Sequence, residues 1–199
     1  MAAQFLRPNR DITISSMQGF VDGVETPPIW DRLNDNPFPL ESGSYGFTDF
    51  VGVTLPMASN MIIGLSPGQE PFAREGYPDG SSYESGHVLR IHSSTDVVIY
   101  LQYQLMEGSR VIASTGTLSP TLGTRPTPDL YEFVLTPAQA KDIRSYADLR
   151  FVLVDPGGNS PFFSAPGDPM WAQFVYTIES IEMEIPRAAR RRVSEAVYL

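Results

Sequence analysis

The 199-residue sequence contains no cysteine. A disulfide framework, a thiolate zinc site and a cysteine nucleophile are therefore excluded. The same absence leaves the compartment open, because a protein released after passing through a reducing cytosol would also do without disulfides. Lysine is nearly missing as well: Lys141 is the one lysine among 14 basic residues. No apolar run approaches the roughly 20 residues that span a bilayer, so a soluble protein with no membrane partner is expected. The opening MAAQFLRPNRD lacks a charged segment followed by an apolar stretch, and no secretory signal is expected.

What is present points to an ordered chain rich in turns. Hydrophobic residues make up 42% and aromatic residues 11%, which excludes a disordered polymer. The 18 prolines and 16 glycines suit short strands joined by many turns. The net charge of −9 argues against sequence-independent binding to phosphate backbones, so nucleic acid is not an expected partner. The charge is uneven. Residues 187–199 hold four arginines and one glutamate, a charge of +3 that leaves −12 on residues 1–186.

The chain is organised around residues 85–119. Val97, Ile99, Leu101, Tyr103 and Leu105 fall on alternate positions, the period of a strand with one buried face. Glu107-Gly108-Ser109 interrupts the run before Val111 to Thr115, which reads as an antiparallel hairpin. His87 to His92 adds a third strand just upstream. Further strands are expected at Asp11–Ile14, Phe47–Val53, Met61–Leu65, Leu130–Leu135, Leu149–Val154 and Trp171–Ile185, the last with a bulge between Thr177 and Ser180. Ile29 to Leu33 reads as one helical turn that plants Trp30 and Leu33 on the core. Thr136-Pro137-Ala138-Gln139 carries an N-cap, a proline at the first helical position and a capping box, so a short helix begins there. The expectation is an all-β protein, an antiparallel sandwich with one short helix. Residues 1–40 form an arm packed on it, 41–186 the sandwich and 187–199 a basic tail. Residues 66–86, with three prolines and four glycines, form a long loop of the kind that often meets partners.

Several stretches resemble a widespread group of small β-sandwich virion proteins from tailed bacteriophages. They are Phe5-Leu6-Arg7-Pro8-Asn9-Arg10-Asp11, His87 to Ile91, Tyr103 to Ala113, Leu135 to Ala140, Ser145 to Phe151 and Ile181 to Pro186. The long loop and the arginine tail depart from that group's compact pattern. The resemblance implies a jelly-roll-like, head-associated structural protein of the capsid decoration or cement kind. It further implies synthesis in the host cytoplasm, residence in the virion, the major capsid protein or other virion proteins as partners, and homo-oligomers on the particle. It supplies no catalytic residue.

The remaining constellations read as structure. Gly64-Leu65-Ser66-Pro67-Gly68 matches the expression of a hydrolase nucleophile elbow. That elbow needs an N–H on the residue after the serine, and Pro67 has none. His87 and His92 fall on opposite faces of one strand and read as ordinary strand histidines. Glu182 and Glu184 share a face, which reads as solvated or interface-facing, since Met183 and Ile185 claim the core. Asp31, Asn34, Asp35 and Asn36 lack the glycine and terminal glutamate of a calcium loop. No enzyme activity, cofactor or metal is expected. The candidate partner-binding residues are Phe5 and Leu6 in the arm, with Arg187, Arg190, Arg191, Arg192, Tyr198 and Leu199 in the tail. Phe72, Tyr77 and Tyr83 form a candidate ligand loop. The alternative to capsid decoration is a carbohydrate- or receptor-binding module of a phage tail or fibre that uses those three aromatics.

Overall fold

The structure is a computed structural model that describes residues 3–14, 17–21, 24–25, 28–33, 49–57, 59–68, 86–95, 98–118, 129–159 and 176–186. Two antiparallel sheets pack face to face. Sheet A orders β10 (Asp129–Val134), β7 (Val88–Ser94), β12 (Tyr176–Ile185), β5 (Asp49–Val53), β3 (Met17–Val21) and β4 (Val24–Glu25), and β1 (Gln4–Leu6) pairs with β12 beside that path. Sheet B orders β2 (Pro8–Thr13), β6 (Met61–Leu65), β11 (Leu149–Val154), β8 (Gln102–Glu107) and β9 (Arg110–Ser114). The all-β sandwich expected from the alternating pattern is the fold observed.

The central hairpin forms as its spacing requires. Glu107 pairs with Arg110 across Gly108-Ser109, and Gly108 takes the left-handed φ of 57° that such a tight turn needs. Ile99, Leu101, Tyr103 and Leu105 are all buried, while Val98 and Tyr100 are exposed; Val97 lies outside the described residues. The strand upstream of the hairpin does not join it, however. Strand β7 belongs to sheet A and β8 to sheet B, so the chain changes layers between them. Period-two burial marks a strand's inner face but does not say which sheet owns the strand.

Residues 4–13, expected as an arm on the sandwich, are woven into both layers: β1 extends sheet A and β2 is the edge of sheet B. The predicted turn at 29–33 is a 3-10 turn, Ile29–Arg32, and Leu33 is fully buried. Its start is capped from β2, where the Asp11 carboxylate accepts hydrogen bonds from the backbone N–H of Ile29 (2.9 Å) and Trp30 (2.8 Å). Helix α1 (Pro137–Asp142) has the capping box read from sequence, with Thr136 and Gln139 bonded reciprocally, and it lies on the crossover from β10 to β11. The bulge in β12 falls between Ile178 and Ser180. Trp171 and Val175, expected in the same strand, lie outside the described residues.

One polar contact spans the core. Tyr103 of β8 and Tyr176 of β12 meet hydroxyl to hydroxyl at 2.5 Å, both fully buried. Burial pushes the Tyr103 phenol up to about 12, against the lowering influence of its hydrogen bonds, and raises Tyr176 well above its ordinary value too. Neither ionises near neutrality, and the pair ties one sheet to the other. Tyr103→Phe or Tyr176→Phe alone removes one side of this buried hydroxyl pair and is expected to cost about 1–3 kcal/mol in denaturant unfolding. The double Phe variant is expected to cost clearly less than the sum; strict additivity would show that the hydroxyls are not coupled.

Candidate functional site

The topology gathers three separate stretches at one corner of the sandwich. In β1, Gln4 pairs with Ile185, Phe5 with Glu184 and Leu6 with Met183 of β12. The pairing is antiparallel, so residue 4 lies beside the point where the chain passes Pro186 towards the arginine tail. Both anchors of the long loop are at the same place. Ser66 and Arg7 exchange bonds, Ser66 N–H to the Arg7 carbonyl (2.7 Å) and Arg7 N–H to the Ser66 hydroxyl (3.1 Å). Gly68 donates to the Tyr146 carbonyl at 2.8 Å, and a Cβ on Gly68 would stand 2.9 Å from a Leu6 methyl carbon. At the other end of the loop, Gly86 (φ +90°) adjoins Pro186. His87 follows, fully buried, with its ring Nε2 2.9 Å from the Tyr146 hydroxyl.

The candidate residues fare differently at this corner. Leu6 points into the core, where a partner cannot reach it; its place among partner contacts is corrected by the parity of β1. Phe5, on the opposite face, is 50% exposed. Phe72, Tyr77 and Tyr83, and Arg187, Arg190, Arg191, Arg192, Tyr198 and Leu199, lie outside the described residues, though the segments that carry them start or end here. Asn34, Asp35 and Asn36 also lie outside them. Ser66, the serine of the elbow-like motif, is engaged with the Arg7 backbone. Among the described residues, no three His, Asp or Glu side chains gather as a metal centre requires.

Sequence reading missed the charged row beneath the corner. Glu132 of β10 pairs in register with Arg90 of β7, and Arg90 with Glu182 of β12. Arg7, the residue after β1, lies one step past the Leu6–Met183 pair and meets Glu182 from the far side, so acid and base alternate across three strands and the end of β1. Arg90 Nε donates to Glu132 at 2.7 Å and its Nη1 to Glu184 at 2.5 Å; Arg7 Nε and Nη2 both donate to Glu182 Oε2 at 3.1 Å. Burial opposes the charge on Arg90, and the bonds from Glu132 and Glu184 outweigh it, so its pKa rises. Glu182, expected to be solvated or interface-facing, has a side chain only 4% exposed. The correction has a simple cause: β12 is central in its sheet, and Arg7 and Arg90 close on the carboxylate from its two sides. The partners were legible only as parity, since Arg90, Glu132, Glu182 and Glu184 each fall on the face opposite the apolar set.

A second buried acid sits at the β12 bulge. Glu179 is mostly buried, its Oε1 makes no hydrogen bond, and desolvation pushes its carboxyl up to about 8. The buried His92, by contrast, is lowered by desolvation.

No protein-family model matches the chain, and comparison with curated proteins finds no match either.

Two outcomes follow for the acids. Glu182→Gln removes the carboxylate that Arg7 and Arg90 share and is expected to cost about 2–4 kcal/mol, whereas Glu132→Gln, at a site 48% exposed, costs under about 1 kcal/mol. Equal losses in denaturant unfolding would refute a buried, coupled centre. For Glu179 the folded pKa lies above the unfolded value of 4.5, so its neutral form favours folding. Stability linked to it is full below pH 4.5 and is lost as pH rises towards about 8. The Glu179→Gln variant should therefore gain on the wild type across that window, by on the order of a few kcal/mol. A pH-independent difference would count against a desolvated carboxyl.

Proposed function

We propose that this chain is a non-enzymatic structural protein of a tailed-bacteriophage virion that decorates the assembled head and stabilises it. One observation carries the reading. The stretches marked from sequence as partner-seeking are the start of the chain with exposed Phe5, the long loop and the arginine tail, and they leave the sandwich at one corner. A corner of that kind suits docking on a neighbour, with the rigid two-sheet body as its platform. The sequence resemblance to phage sandwich proteins supports the setting. The +3 tail on a −12 body supports a neighbour with an acidic surface, because the body would repel an extended polyanion. The mechanism is mass action: a protein that binds only the assembled shell shifts the equilibrium towards it, by about 2.7 kcal/mol per site at a free concentration of 100 times Kd.

The test uses undecorated heads. Full-length protein is expected to co-sediment with them and raise their disruption temperature, and a variant lacking residues 187–199 should bind about tenfold or more weakly, with a loss that shrinks at high salt. Unchanged binding and thermal protection by the truncated chain would remove the tail from the mechanism.

A further inference from the structure

The outer face of sheet A carries a second row, two residues along from the charged one. Val134 of β10 pairs with Val88 of β7, Val88 with Glu184 of β12, and Glu184 with Phe5 of β1. Among the described residues no strand lies beyond β10 or beyond β1, where the rows run out; at the β1 end Arg7 stands one residue past the strand, its backbone bonded to Ser66, so it meets a neighbour through its side chain alone. At the β10 edge the ends are Glu132 and Val134; at the β1 edge they are Arg7 and Phe5. These row ends are accessible: Val134 is 58% and Phe5 50% exposed, and the side chains of Glu132 and Arg7 are 48% and 35% exposed. One edge thus offers an acid and an apolar group two residues apart, and the other a base and an apolar group at the same spacing.

The strand directions match too. Strands β10 and β12 both run antiparallel to β7, and β1 runs antiparallel to β12. Strand β1 is therefore antiparallel to β10, and a copy displaced along the sheet would lay its β10 antiparallel to β1 of its neighbour. In that alignment Phe5 meets Val134, Leu6 meets Phe133 and Arg7 meets Glu132. The alternating acid–base row continues from copy to copy, and the inward-facing Leu6 and Phe133 stay on the core side. A slip of one residue would turn every side chain to the wrong face, and a slip of two would set a charge against an apolar group. Two-fold pairing of β10 with itself about Glu132 would oppose two carboxylates.

We propose that the β1 edge of one copy and the β10 edge of the next form a head-to-tail contact that extends sheet A between copies of this chain. It assigns Phe5 to the neighbouring copy and leaves the tail to the head. In that respect it refines the docking reading, but it does not depend on it. Three residue pairs bury far less than the roughly 1,200 Å² of a stable complex, so the contact is weak in dilute solution. It fills where copies are held close, as on a repetitive shell. Being head-to-tail, it closes into a ring or runs on as a chain.

The absence of cysteine makes a clean test available with isolated protein. Phe5→Cys and Val134→Cys variants, one carrying a mass tag, are mixed in concentrated solution and oxidised. Disulfide-linked dimers containing one of each are expected, well above those formed by Phe5→Cys mixed with Val111→Cys, whose cysteine is exposed on β9 of sheet B. Adding Glu132→Arg to the Val134→Cys variant should lower the yield about threefold to tenfold, since it sets like charges opposite one another. A yield no higher than the Val111 control overturns the contact, and so does a predominance of like-with-like dimers. Because no heads are present, either failure leaves the docking reading standing.

Discussion

The far edge of β12 has more backbone to satisfy than any single neighbour covers, and much of the architecture follows from how it is shared. Strand β5 takes Tyr176 to Ile178, and β1 takes Met183 to Ile185. Between them the Ile181 N–H donates to the carbonyl of Leu33 at 3.1 Å. Three segments distant in sequence are thereby fixed against one strand, with the bulge at Ile178–Ser180 placed where the first hands over to the next. The Leu33 carbonyl is available because the 3-10 turn before it is pinned by Asp11 from sheet B. A buried N–H left unmet there would cost on the order of a kcal/mol or more, so the turn belongs to the sheet as much as the strands do.

The charged row uses the same strand in another way. A carboxylate as buried as Glu182 is tolerable only if paired, and Arg7 and Arg90 approach it from the two sides of β12. The row grades from a dry centre to wetter ends: the Glu182 side chain is 4% exposed, whereas those of Arg7 and Glu132, though paired within the row, are 35% and 48% exposed. Sheet B shows a related arrangement: Arg10 lies over Gly64, which has no Cβ to obstruct it, and shares the Asp148 carboxylate with Arg150.

Much of the fold was legible in the sequence because it rests on local signals. The hairpin turn at Gly108, the capping box at Thr136 and the strand Leu149–Val154 were each written in a few adjacent residues. The bulge near Ser180 was readable from broken alternation. The ownership of β7 was not, nor was the weaving of residues 4–13 into both sheets, because partner choice is a long-range matter that a period of two leaves open. The same limit hid the site. Parity placed Glu182 on the polar face but could not reveal that the face was covered there, or that Arg7 and Arg90 converged on it. Phe5 and Leu6 looked equivalent as an apolar pair; one residue of parity makes the first accessible and the second core.

The central position of β12 bears on how the chain folds. It is the last strand described, yet β7, β5 and β1 all pair with it, and among the described residues β1 has no other strand partner. During synthesis sheet A therefore lacks its middle until residues 176–185 have emerged, and β1 must wait across some 180 residues for its partner. Sheet B, whose latest strand is β11, can close earlier. Folding that ends on such distant pairings is slow and leaves strand edges uncovered for longer, so the nascent chain is most open to misassociation just before its final strand arrives.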